Sequence, residues 1–294
     1  MKYFYDLQAH TPFSDGHYDL ATAFRLAKKS GLKGISFTDH NIASYFDKKN
    51  QLAKKTGLIH IPGIEISTKF HEVEVHILGY AKKFNAPLLK KALQPTIAGY
   101  NQRAKQMVEK LNAAGVTAMK FSEVQNKKPK FCGVTKYDIA RAVAPHSKYP
   151  LKEIQSMLNT GGLAAVPYGT WAMGPVVATK LLHRAGGVVS LSHPGETHDK
   201  YIKKFGPKKG AALFKTLLAE LLKAKLDAIE IYSPKNNPAM RARCLTLVKQ
   251  HNLLVTGGSD WHGEPHHPEY HLGDGGLPEK LFDQFCQRLK IKNR

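Results

Sequence analysis

The sequence predicts an α/β fold: a closed parallel barrel of βα units that carries an inserted helical segment. Three observations predict it. Short apolar segments alternate with amphipathic helical ones through most of the chain. Acidic and imidazole side chains follow nearly every apolar segment. The 294 residues, 42% hydrophobic and 23% charged, suit one large core and argue against disorder, collagen or coiled coil.

The elements follow in order. Residues 3–7 form a strand, and Leu20–Lys29 an amphipathic helix stopped by Gly31. Residues 34–38 form the second strand and 42–56 the second helix, stopped by Gly57. Strands at 58–62 and 75–80 come next. Later strands lie at 187–191, 228–232 and 254–256, with helical patterns between and after them. These seven strand candidates in a βα rhythm imply the barrel. The stretch 95–163 breaks the rhythm. Its helical pattern at 97–114 places Tyr100, Met107, Val108 and Leu111 on one face, and shorter helical pieces follow at 137–143 and 151–158. The expected organisation is a barrel from residues 1–94 and 164–294, with 95–163 as a helical insertion or cap.

No apolar run approaches the roughly 18–20 residues of a membrane span, and no secretory leader pattern opens the chain. Cys132, Cys244 and Cys286 are widely spaced and form no CxxC pair. They suggest neither a disulfide framework nor a zinc knuckle, and a cytoplasmic location is expected. Lys and Arg number 44 against 23 Asp and Glu, a formal net charge of +21. That balance suits polyanions or phosphorylated small molecules, or a merely solvated basic surface. Short basic clusters occur at Lys127-Lys128-Pro129-Lys130 and at Lys203-Lys204 to Lys208-Lys209. No Arg-rich arm, helix-turn-helix pattern or zinc finger accompanies them, so sequence-specific DNA binding is not expected. Nor is there a GxxxxGK[ST] or GxGxxG loop for a nucleotide cofactor.

The chemistry-bearing residues sit at strand ends, where a parallel barrel builds its active site. Asp6-Leu7-Gln8-Ala9-His10 and Ser14-Asp15-Gly16 follow the first strand, and Thr38-Asp39-His40-Asn41 the second. Gly63-Ile64-Glu65-Ile66-Ser67 follows the third, and Val75-His76-Ile77 lies in the fourth. Ser192-His193-Pro194-Gly195 closes the fifth and Gly258-Ser259-Asp260-Trp261-His262 the seventh. One histidine after a strand is ordinarily a cap or core residue. The set His10, Asp15, His40, Glu65, His76, His193, Asp260 and His262 is difficult to explain by packing. Imidazoles and carboxylates are ligands for zinc, iron and manganese, and a bridging carboxylate can hold two cations together.

DLQAHTPFSDG, SFTDHN, PGIEIS, VHILGY, LSHPG and GSDWH resemble, in order, the motifs of the PHP (polymerase and histidinol phosphatase) family. They span residues 6–263. The insertion between VHILGY and LSHPG makes the chain most similar to the small bacterial PHP phosphoesterases, which hydrolyse nucleoside phosphates or short oligonucleotides. The resemblance implies a distorted, TIM-like (β/α)7 barrel. It implies a metal-dependent phosphoric ester hydrolase in which a metal-bridged hydroxide attacks phosphorus, with two or three divalent cations (Mn, Fe or Zn) per chain. The first would take His10, Glu65 and Asp260, with Gln8 in place of the family histidine. The second would take Glu65, His76 and His193, and the third Asp15, His40 and His262. Asp39 would orient His40 or serve in proton transfer, as would a rim histidine such as His262; a plain turn carboxylate is the alternative for Asp39.

The chain departs from the family pattern at two places. Gln8 replaces the first histidine of His-x-His with a weaker oxygen donor. In the insertion, Thr135-Lys136-Tyr137-Asp138-Ile139-Ala140 stands where relatives carry a Gly-Arg-Pro-His-like phosphate contact. Lys136 would supply a point charge, while Asp138 repels phosphate unless it faces away or binds a cation. A catalytically weak relative that binds a phosphorylated ligand or RNA is therefore the second reading, and a carbon–nitrogen hydrolase a third. Tyr168 and Trp171 could stack a base or pack the cap. Arg241 and Arg243 could reach the rim or line an exposed helix. His266, His267 and His271 could face substrate or form a solvated loop.

Overall fold

The computed structural model describes residues 3–263 and 268–291. Its strands are β1 Tyr5–Ala9, β2 Gly34–Phe37, β3 Ile59–His60, β4 Gly63–Phe70, β5 Val73–Tyr80, β6 Val188–Leu191, β7 Ala228–Tyr232 and β8 Leu254–Gly257. Its α-helices are α1 Leu20–Lys29, α2 Phe46–Thr56, α3 Ala86–Ala113, α4 Phe121–Gln125, α5 Lys136–Val143, α6 Leu151–Leu158, α7 Pro175–Arg184, α8 Pro194–Phe205, α9 Pro207–Lys223, α10 Pro238–His251 and α11 Glu279–Leu289. Among the described residues no helix is long and apolar enough to cross a membrane.

Local chemistry accounts for the early elements. Asp19 caps α1 by accepting from Ala21 N and Thr22 N, and Leu20, Ala23, Phe24 and Ala27 bury one face at helical spacing. Gly57, at φ 65°, ends α2 in the left-handed conformation. α2 begins at Phe46, later than the pattern at 42–56 suggests. Residues 41–45 serve a tertiary tie instead: Asn41 N donates to Glu65 O, and Asn41 Oδ1 accepts from Ser67 N.

The strands form two sheets. One is parallel, in the order β1-β2-β3; the other runs β4-β5-β6-β7-β8. β5 is antiparallel to both β4 and β6, whereas β6, β7 and β8 are parallel. Isolated bridges join the sheets at Ala9–Trp261 and His40–Glu65, and among the described residues no continuous ladder closes a ring. The observed fold is thus mixed α/β, and the expected closed parallel barrel of seven strands is corrected. The cause is β4, which the sequence pattern hid. It forms a hairpin with β5, and a two-residue connection permits only antiparallel pairing. The turn residues His71 and Glu72 have φ 45° and 61°, the geometry of a type I′ turn without its usual Asn-Gly signal.

α3 runs through Pro95 without a break, so one helix crosses the expected boundary at residue 95. Residues of α3 to α6 then build an apolar cluster of their own, including Met107, Leu111, Ile139, Val143 and Ile154. A separate, larger cluster lies between the five-stranded sheet and α7 to α10.

Candidate metal centre

Backbone stitching brings the polar strand ends together. His10 N donates to Trp261 O at 2.8 Å and Asp260 N to Gln8 O at 2.9 Å, so β1 runs beside the exit from β8. Gly258 makes this possible, because a Cβ there would lie 2.4 Å from Gln8 Cβ. His10 Nε2 consequently sits 3.1 Å from Asp260 Oδ1. On the opposite edge, the Asn41 tie sets His40 against Glu65.

Glu65, fully buried on β4, is the hub. Its Oε2 lies 3.1 Å from His10 Nε2 and 3.7 Å from His40 Nδ1. Its Oε1 lies 3.0 Å from His76 Nδ1 and 3.3 Å from His193 Nε2. Asp15 joins the other side: His262 Nε2 is 3.4 Å from Oδ1, and His40 Nε2 is 3.7 Å from Oδ2. The His262 ring stacks on His10 at 4.2 Å. His193 and Asp260 hold φ of 24° and 55°, strained backbone of the kind that collects at functional sites.

The donors fit divalent cations. Three groups bring one ligand atom from each member within 4.8 Å of one another: His10, Asp15, His40 and His262; His40, Glu65 and His76; His10, Glu65 and Asp260. Glu65 Oε2 and Asp15 Oδ1 are buried without a hydrogen bond. A buried anionic oxygen left so is costly unless a cation meets it. The surrounding carboxylates fix the rings. Glu74 Oε1 is 2.9 Å from His76 Nε2, and Glu196 Oε2 is 3.2 Å from His193 Nδ1, which turns the other nitrogen of each ring inward.

Charge and burial compete here. Burial favours neutral His76, but Glu65 and Glu74 outweigh it and raise the imidazole to about 10. Burial dominates at His40 and lowers it to about 4, against Asp15 and Glu65. Burial pushes Glu65 up, yet His40 and His76 together hold it well below the usual carboxylate range. Asp260 is held low in the same way by Lys235 and His262. Lys235 bridges Asp260 Oδ2, at 2.5 Å, and Glu196 Oε2, at 3.0 Å.

The other expected site residues have partners of their own. Asp39 does not touch His40. It accepts from Thr11 N, Thr11 Oγ1 and Ser14 Oγ and pairs with buried Lys49 at 2.7 Å, so it braces the loop behind His10. Ser14 Oγ in turn meets His10 Nδ1 at 3.3 Å. Lys136 Nζ is bonded to Asn159 Oδ1 at 2.7 Å and lies over the ring of Tyr137, which is 6.2 Å from the His262 ring. Asp138 caps Thr135 and is neutralised by Lys128 and Arg141 at 2.7 Å each. These two cations also donate to Ser14 O and Gly16 O, which ties the insertion to the loop that carries Asp15. Tyr168 packs with Tyr100 and Trp171 in an aromatic trio and is tied to Tyr100 Oη at 2.7 Å. Arg241 donates to Ser233 O and touches no ligand group. Gln8 Nε2 donates to Glu65 Oε1 at 3.0 Å and to Ser192 Oγ at 2.9 Å, while its Oε1 is buried without a partner. His266 and His267 lie outside the described residues, and His271 sits on an exposed turn.

Residues 6–96 match the model of the PHP domain. The matched stretch holds Gln8, His10, Asp15, His40, Glu65 and His76, whereas His193, Asp260 and His262 lie beyond it. Full-length likeness covers the rest. Phosphoribosyl 1,2-cyclic phosphate 1,2-diphosphodiesterase of Eggerthella lenta is 25% identical over 265 residues, 88% of this chain and 94% of the relative. The 5'-3' exoribonuclease Rnm of Escherichia coli is 26% identical over 262 residues, 88% of this chain and 85% of the relative. A crystal structure from Bifidobacterium adolescentis, of a protein proposed to be a metal-dependent phosphoesterase, superposes with a TM-score of 0.79 at 25% identity. It covers 97% of this chain and 96% of that one.

Proposed function

We propose that this protein is a metal-dependent phosphoesterase acting on phosphate esters of nucleotides or short oligonucleotides. The observation that carries the reading is Glu65, one buried carboxylate within 3.7 Å of four imidazoles. Two divalent cations would share it, one at His10, Glu65 and Asp260 beside Gln8 and one at Glu65, His76 and His193, and a third would take Asp15, His40 and His262. Manganese, iron and zinc suit these donors. Such cations neutralise phosphate oxygens and acidify an attacking water. The chain's own residues orient that chemistry. Glu74 and Glu196 fix the His76 and His193 rings, Asp39 acts through Ser14 on His10, and Lys235 offsets the charge of Asp260. Relatives named for a cyclic phosphodiester and for RNA support a phosphodiester substrate.

In this reading the two sheets form a distorted, TIM-like barrel left open between ladders, and 95–163 caps its mouth. Three buried, unpaired cysteines suit a cytoplasmic location. The test is direct. After chelation, Mn²⁺ is returned and release of phosphate or nucleotide is followed on phosphomonoesters, nucleoside bisphosphates and short oligoribonucleotides. Turnover is expected only with metal, and Asp15→Ala and His40→Ala should abolish it with the fold intact. No metal binding on titration would overturn the reading.

A further inference from the structure

The rim carries an aromatic cluster that the phosphate chemistry does not use. Phe13 stacks on Tyr45 at 4.4 Å and 11°, and Phe131 lies 5.6 Å from Tyr45 and 6.4 Å from Phe13. The three rings come from the loop after β1, the loop after β2 and the insertion. Tyr45 and Phe131 remain 40% and 38% exposed, although a core for such rings is close by. Beside Phe131 opens a cavity of about 390 Å³ between residues 41–44 and α3. That is within the range of small-molecule sites, roughly 300–1,000 Å³. Ile42, Ala43 and Ile97 give it apolar walls, and Lys90 and Lys130 stand at its edge. Asn41 and Asn101 also line it. Their side-chain oxygens already accept from Ser67 N and Val134 N, which leaves each Nδ2 to donate.

The cavity adjoins the candidate metal centre. Asn41 follows His40, and its N–H is bonded to Glu65 O at 2.8 Å. His40 and His76 are the most open of the clustered imidazoles, with 12% and 11% side-chain exposure, so the cluster is most accessible on their side. Apolar walls, an exposed ring face, amide donors and flanking lysines match a flat heterocycle attached to phosphates.

We propose that this cavity is a nucleobase subsite. The base beside the scissile phosphate stacks on Phe131, its acceptor edge meets the Asn41 and Asn101 amides, and Lys90 and Lys130 receive a neighbouring phosphate. The basic run 127–130, which ends in Phe131, thereby acquires a role. The proposal rests on the phosphoesterase reading above.

The test compares a short oligoribonucleotide with the same oligomer made abasic beside the scissile phosphate, on Mn²⁺-loaded wild type, Phe131→Ala and Phe131→Trp. In the wild type, removing the base should raise KM about ten-fold, the scale of one stacked base. Phe131→Ala should raise KM for the intact oligomer by a similar factor and erase the difference between the two substrates. Phe131→Trp should restore it, with melting temperature unchanged throughout. If the wild type cleaves both substrates equally well, or if Phe131→Ala weakens both alike, the subsite is refuted while the phosphoesterase reading stands. If the wild type cleaves neither oligomer nor any phosphomonoester, that reading fails and the subsite with it.

Discussion

Gln8 stands where the sequence motif leads one to expect the first histidine of His-x-His, and its surroundings give the departure a cost. It spends its Nε2 on Glu65 and Ser192 and leaves its Oε1 buried and unbonded. Imidazole is the better donor for borderline cations. Gln8→His should therefore tighten Mn²⁺ binding about ten-fold, a ligand advantage of about 1.4 kcal/mol. Paired metal titrations check this, and an unchanged affinity would place residue 8 outside the cluster. The eight clustered residues were legible because each stands in a short motif, six in segments that follow a strand and two, Glu65 and His76, within β4 and β5. Their supports were less so. Glu196 lies one helical turn after His193, and Glu74 lies two residues before His76 on the same strand face, so both left a local signal. Lys235 left none, because only the packing of the β7 exit against the β8 exit brings it to Asp260.

Among the elements, the β4–β5 hairpin was the least legible. Ile64 and Ile66 alternate as a strand should, but ligand chemistry at Glu65 and an unfamiliar turn obscured it. His71 and Glu72 pay a steric penalty in the left-handed region that glycine avoids. Glu72→Gly should raise stability by about 0.5–1 kcal/mol, read as a higher melting temperature at unchanged metal content. Loss of the exposed Lys69–Glu72 pair subtracts little from that gain. By contrast, α1 was readable to the residue, since its cap, its apolar spacing and its glycine stop all agree.

For the molecule as a whole, acid stability has an identifiable contributor. His60 on β3 meets Asn50 Oδ1 at 2.7 Å, and burial, then Lys49, lowers its pKa to about 3 from the usual 6.5. The unfolded chain takes up this proton near 6.5, whereas the folded chain does so only near 3. The contribution is complete above 6.5 and is lost progressively as pH falls toward 3. His60→Gln cannot titrate, so its melting temperature should drop less than that of wild type between about pH 7 and about pH 5. The α/β class and the helical interruption were legible from rhythm alone. Which strand runs backwards was not, because a direction of pairing is set by the length of a connection and not by the composition of the strands it joins.

The grip of the insertion on the Asp15 loop has a thermodynamic consequence. Lys128 and Arg141 hold Ser14 O and Gly16 O, so docking the insertion and ordering the Asp15 carboxylate are one event. Two equilibria that share an event are linked, and the linkage is reciprocal: whatever docking adds to cation affinity, a bound cation returns as resistance of the insertion to local opening. Amide hydrogen exchange should therefore slow along α5, whose Tyr137 ring lies 6.2 Å from the His262 ring, when Mn²⁺ is added. The same addition to Asp138→Ala, in which Lys128 and Arg141 have lost their shared carboxylate, should leave exchange in α5 nearly unchanged. Exchange in the helices would then report how full the candidate metal centre is.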